Sequence, residues 1–110
     1  MLVLAVILIS LVILVGLYMS THILQKKPFP KLFSYAHLGM AALGAILTII
    51  AATKGGILLW ANTALAVIVA TLGFMLTFGK FGKRNGRSVL ALHAILASIC
   101  YLFLVYNTFF

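Results

Sequence analysis

The chain has 110 residues, of which 65% are hydrophobic and 7% are charged, and its mean hydropathy is +1.30. A soluble domain of this size needs a charged surface, so this composition excludes one and indicates an integral membrane protein. All eight charged side chains are lysine or arginine, and aspartate and glutamate do not occur. This absence excludes proton or cation transport through a membrane carboxylate, carboxylate-bound metals and catalysis by paired carboxylates.

Four apolar segments follow one another along the chain, and each is long enough to cross a bilayer core of about 30 Å. We expect them at about residues 1–24, 32–52, 57–78 and 88–110. The connections between them are a proline-containing loop, a tight turn at 53–56 and a basic, glycine-containing loop. Because all three are short, the sequence predicts one all-α transmembrane domain, an up-down-up-down antiparallel four-helix bundle.

The basic residues are distributed unevenly between the two sides of this bundle. Lys54 is on one side, and the other seven lie in or beside the first and third connections: Lys26, Lys27, Lys31, Lys80, Lys83, Arg84 and Arg87. The positive-inside rule then places these connections in the cytoplasm and both termini outside it, in a membrane such as a bacterial inner membrane. Basic loops at a membrane contact anionic lipids at about 1 kcal/mol per residue, so no nucleic-acid partner is expected.

Two histidines lie inside spans that run in the same direction. His37 is six residues beyond Lys31 and His93 is six residues beyond Arg87, so the two imidazoles are expected at the same depth. Ionisable groups inside a span are costly and commonly mark function. An imidazole from each of two helices supplies the axial ligands of a b-type haem, and the small residues on the face of the second helix would leave room for the macrocycle.

The basic residues before His93 suit the same interpretation. Haem propionates are anionic, and Arg84 and Arg87, with Lys80 and Lys83, are placed to meet them. The third histidine, His22, is an interfacial residue, a pocket residue or a group that hydrogen-bonds a quinone. Each feature also has a purely structural interpretation, since small residues pack helices closely and basic loops set topology.

The segment from Lys83 to Tyr106, KRNGRSVLALHAILASICYLFLVY, resembles the entry helices of small four-helix membrane cytochromes b. In that group, histidines on transmembrane helices ligate b haem, and electrons pass between quinol, superoxide or iron and a partner. Members with two haems need four ligand histidines, one pair on each side. This chain has three, all expected on one side, so the resemblance implies at most one haem b, with His37 and His93 as iron ligands.

The sequence is therefore compatible with three functions. The first is a small membrane cytochrome b, acting as an oxidoreductase or an electron-transfer subunit. The second is a cofactor-free accessory subunit of a larger membrane complex, which the small size and the glycine- and alanine-lined helix faces suit. The third is a transporter that works as an oligomer. The partners considered are a quinone, a larger membrane subunit and a second copy of the chain. The two halves of the chain also show a faint two-fold repeat.

Overall fold

A computed structural model describes residues 2–25, 27, 31–78 and 86–110, apart from the side chains of Thr77 and Phe78. These residues form four α-helices and no strand, which confirms the all-α prediction with four helices. The helices are α1 (Leu2–Leu24), α2 (Lys31–Gly55), α3 (Ile57–Phe78) and α4 (Gly86–Phe109). All four are long and apolar enough to cross a membrane.

The boundary between α2 and α3 differs from the sequence prediction. Thr53, Lys54 and Gly55 were expected in a turn, but they continue α2. The helix is interrupted at Gly56, whose φ of 94° lies in the left-handed region that favours glycine. One residue is therefore enough to separate the two helices.

The four helices form a closed ring in which α1 contacts α2 and α4, and α3 contacts the same two helices. Within the described chain, neither α1 and α3 nor α2 and α4 are backbone neighbours. The body measures 42 × 22 × 19 Å, so the core is narrow and is built largely from small and medium side chains such as Ala5, Val12 and Ala52. Many large apolar side chains therefore point outward, as is typical of helices surrounded by lipid.

The second pair of helices repeats the contacts of the first. Val12 and Gly16 of α1 contact His37, and Val69 and Gly73 of α3 contact His93 in the same way. A residue of α1 has its equivalent 57 positions later in α3, as Val12 has in Val69. A residue of α2 has its equivalent 56 positions later in α4, as His37 has in His93. The faint two-fold repeat in the sequence thus corresponds to a repeated helix pair around one central axis.

A polar pair between α3 and α4 breaks this repeat. Asn62 is 2% exposed, and its Nδ2 donates a hydrogen bond to the Cys100 carbonyl oxygen (3.0 Å). The Cys100 thiol in turn donates to the Asn62 backbone oxygen (3.8 Å). The equivalent positions in the first pair are Ala5 and Gly44, which pack without polar side chains. Cys100 therefore links two helices.

Replacing Asn62 with leucine is expected to lower the free energy of unfolding by about 1 kcal/mol, because one hydrogen bond between two apolar helices is lost. Asn107→Leu is the matched control, since Asn107 Nδ2 is buried without a hydrogen-bond partner in the described structure. Removing that unpaired amide should leave stability unchanged or raise it in pure detergent. Unfolding by sodium dodecyl sulfate in mixed micelles, followed by circular dichroism, measures both, and equal losses would contradict the assignment.

Candidate functional site

The histidines of α2 and α4 meet at the centre of the bundle. The ring centres of His37 and His93 are 6.4 Å apart, with an angle of 61° between the ring planes. Both side chains are half-buried. Because α2 and α4 are not neighbours in the ring of helices, the two imidazoles approach one another across the bundle axis. The structure thus brings together the two residues that the sequence placed at one depth.

Each imidazole is held by a hydrogen bond to the backbone of the preceding helix. His37 Nδ1 donates to the Val12 carbonyl oxygen (3.0 Å), and His93 Nδ1 donates to the Val69 carbonyl oxygen (2.9 Å). A carbonyl oxygen only accepts, so Nδ1 carries the proton and Nε2 of the neutral ring keeps its lone pair. Metal-ligating histidines are usually oriented by this kind of bond through the nitrogen that does not bind the metal.

Two glycines make these hydrogen bonds accessible. In an α-helix the carbonyl of residue i points toward residue i+4, so a side chain there covers it. Gly16 follows Val12 by four residues and Gly73 follows Val69 by four. A Cβ at either glycine would lie 3.0 Å from Cε1 of the facing histidine, which is tighter than ordinary van der Waals contact. Each histidine therefore rests against a carbonyl that is uncovered by a glycine.

The distance between the two imidazoles is close to that between two axial ligands of one metal ion. Two imidazoles that bind one metal from opposite sides have ring centres about 6 Å apart, because a metal–imidazole bond is about 2 Å long. The observed 6.4 Å agrees with that spacing, and both Nε2 atoms are the unprotonated nitrogens that ligation requires. Neither of the two cavities described, of about 450 and 90 Å³, is lined by His37 or His93.

Of the four basic residues that the sequence assigned to the haem propionates, the structure describes one. Arg87 is exposed in the first turn of α4, six residues before His93. Arg84, Lys80 and Lys83 lie outside the described residues. At the same end of the bundle, Lys31 begins α2 six residues before His37. Arg87 and Lys31 thus lie at the end nearer the histidine pair.

His22 belongs to a separate aromatic cluster near the end of α1. Its Nδ1 donates to the Tyr18 carbonyl oxygen (2.9 Å), and its ring centre is 4.3 Å from that of Tyr18. The Tyr18 ring also contacts Phe33 of α2, with ring centres 4.7 Å apart. Phe33 precedes His37 by one helical turn, so the cluster adjoins the histidine pair on the side of the basic residues.

A metal site with three or more side-chain ligands has no support from the described chain. No group of three or more histidine, cysteine, aspartate or glutamate side chains gathers there. A bis-histidine haem needs two protein ligands, because the porphyrin supplies the other four.

Gly16, Gly73 and Asn62 were not singled out from the sequence. When the chain is aligned with itself so that His37 matches His93, Lys31 also matches Arg87 and Ala41 matches Ala97. Gly16 then matches Gly73 if the connection between the two helices of the second half is one residue shorter than that of the first half. That self-alignment was the available signal for the two glycines. Asn62 carried a simpler signal, a carboxamide inside an apolar span, where polar side chains usually have a partner.

No family model, curated protein or solved structure matches this chain. Its function is therefore inferred from the histidine site itself.

Proposed function

We propose that the chain is a small membrane cytochrome b that carries electrons through one haem b, with His37 and His93 as the axial ligands. The observation that supports it is the pair of facing imidazoles, 6.4 Å apart, each with its Nδ1 hydrogen bonded to a helix carbonyl and its Nε2 left to bind metal. A histidine that only bridges two helices has no need to face a second one across the axis.

In this proposal the four helices span the membrane as an up-down-up-down antiparallel bundle. The two basic connections lie in the cytoplasm of a bacterial-type inner membrane, and both termini lie on the other side. Arg87 and Arg84 are the cations placed to meet the haem propionates at the cytoplasmic end. Haem then lies near that face rather than at the centre of the bilayer.

The haem, when bound, supplies one-electron oxidation and reduction of its iron. The chain supplies the rest. His37 and His93 provide two identical nitrogen ligands, while the carbonyls of Val12 and Val69 fix the ring orientation and make the imidazoles more basic ligands. The apolar helices exclude water from the pair, and both factors set the reduction potential.

A single redox centre near one face does not conduct electrons across the membrane, so a partner has to supply or accept them. The basic end, with the adjoining cluster of Tyr18, His22 and Phe33, is where we place this exchange. A quinone in the bilayer or a redox subunit of a larger complex fits that position. His22 and Tyr18 provide the polar groups that such a partner would hydrogen-bond.

The visible absorption spectrum of the purified protein, before and after dithionite, tests the proposal. After expression with ample haem supply, we expect a Soret band, sharp reduced α and β bands and about one haem per chain. A protein that stays colourless, and that also fails to bind added haemin, would overturn it.

A second function, a cofactor-free accessory subunit, is favoured by one observation. The same two histidine–carbonyl bonds join α1 to α2 and α3 to α4, so they stabilise the bundle without any cofactor. In that case the chain should co-purify with a larger membrane subunit in equal amounts, and replacing both histidines with asparagine, which can keep the two carbonyl hydrogen bonds, should leave the complex assembled. Haem in the isolated chain would contradict this alternative.

A further inference from the structure

The distance between the two central imidazoles does not suit a direct hydrogen bond between them. The ring centres of His37 and His93 are 6.4 Å apart. In an N–H···N hydrogen bond the two nitrogens are about 3 Å apart, which brings the ring centres closer together than this. Each Nδ1 is already bonded to a carbonyl oxygen, and an Nε2 without a proton only accepts. The observed spacing is that of two imidazoles that share one atom at about 2 Å from each nitrogen.

The charge of the pair and of its surroundings favours a monovalent ion over a divalent one. Both rings are neutral and each can offer Nε2 without losing a proton, because the proton is on Nδ1. The sequence has no aspartate or glutamate, so no side chain can offset the charge of a bound ion. Burying an ion among apolar helices is costly, and that cost rises steeply with the charge of the ion.

The number of ligands points in the same direction. No group of three or more histidine, cysteine, aspartate or glutamate side chains gathers in the described part of the chain. Cys100 is two helical turns beyond His93, and its thiol is hydrogen bonded to Asn62. Zn²⁺ takes four ligands, and Ca²⁺ and Mg²⁺ take six or more oxygens. Copper(I) and silver(I) are satisfied by two nitrogen ligands in a line, and imidazole is a suitable ligand for copper.

We propose that, in the chain without haem, His37 and His93 bind one copper(I) ion in linear geometry through their two Nε2 atoms. The carbonyls of Val12 and Val69 hold the rings from behind, as second partners of metal-bound histidines usually do. Silver(I) has the same charge and the same preferred geometry, so it should bind in the same way. This inference goes beyond the proposed function and does not rest on it, because copper and haem compete for the same two nitrogens.

Titration of the purified haem-free protein with copper(I) tests the site. The ion is kept reduced with ascorbate and buffered with bicinchoninate, which removes weakly bound copper. We expect about one copper(I) per chain and competition by silver(I). X-ray absorption at the copper edge should show two nitrogen neighbours at about 2 Å, the pre-edge feature of a linear copper(I) complex and no sulfur neighbour.

Four variants identify the ligands. His37→Asn and His93→Asn keep a donor for the carbonyl but lose Nε2, so each should lower the copper(I) affinity by more than about 100-fold, the largest usual effect of losing an outer partner. His22→Asn and Cys100→Ser should bind like the parent protein. No copper bound against bicinchoninate, full binding in His93→Asn, or a loss of binding in Cys100→Ser would overturn the proposal.

The outcomes for copper and for haem are separate. A colourless protein that does not bind added haemin but takes up one copper(I) would support the copper site and contradict the proposed haem. A protein that binds haem, and whose haem-free form takes up no copper(I), would support the haem and overturn the copper site. Where both bind, saturation with haemin should prevent the uptake of copper(I), and copper(I) uptake by the haem-saturated protein would contradict the shared ligands.

Discussion

Replacing His93 with asparagine is expected to abolish low-spin haem binding while leaving the chain folded and inserted. The Nδ2 of asparagine takes the place of the imidazole Nδ1, so it can still donate to the Val69 carbonyl oxygen that accepts from His93 at 2.9 Å. Asparagine has no atom in the place of Nε2, so it cannot supply the proposed iron ligand. Haem content from the pyridine haemochrome spectrum, together with circular dichroism of the same sample, measures the two effects separately.

Two comparisons sharpen this result. His93→Leu removes both the ligand and the hydrogen bond, so it should lose haem and also stability, and His37→Asn should behave like His93→Asn because the two sites are equivalent. His22→Asn should retain the full haem complement, since His22 lies in the Tyr18 cluster. Full low-spin haem in His93→Asn would remove His93 from the site. A colourless parent protein in which His93→Asn is as stable as the parent would favour the structural role.

Replacing Gly73 with valine should lower the affinity for haem by about 10- to 100-fold, the usual effect of disturbing a partner that orients a metal ligand. A Cβ at Gly73 would lie 3.0 Å from Cε1 of His93, and the larger side chain would also cover the Val69 carbonyl. The imidazole then loses both its position and its hydrogen bond. Titration of the haem-free variant with haemin measures the affinity, and Gly16→Val should show the same loss at His37.

Gly39→Ala is the control for these glycine variants. A Cβ at Gly39 meets no atom within 4 Å, although Gly39 is two residues from His37. Alanine there should raise the stability of α2 by up to about 1 kcal/mol through its helix propensity and should leave haem binding unchanged. If Gly73→Val bound haem as tightly as Gly39→Ala, the glycine would have no part in holding the histidine.

The helices were predictable because their signal is carried by length and composition. Runs of twenty or more apolar residues without charge specify a helix wherever backbone groups have to pair within their own segment. The end of α2 was less predictable. Lys54 and Gly55 look like turn residues, but the chain needs a left-handed residue only once, at Gly56, so the helix continues up to it.

Of the site, only the common depth of its two histidines was predictable. Equal offsets from Lys31 and Arg87 placed His37 and His93 at one depth, but offsets along a helix do not specify which helices are neighbours or where a side chain points. The carbonyls of Val12 and Val69 belong to backbone groups that any residue carries, so no residue type marks them. Gly16 and Gly73 resemble ordinary helix-packing glycines until the contact with each histidine is known.

The central claim is that His37 and His93 are the axial ligands of a haem iron. Low-temperature electron paramagnetic resonance of the oxidised protein identifies such ligands when it is combined with near-infrared magnetic circular dichroism. The proposed site predicts a single low-spin ferric species with two imidazole ligands, at about one per chain, that disappears in both His37→Asn and His93→Asn. A high-spin iron, a species with a different ligand pair, or a bis-imidazole signal that persists in either variant would contradict it.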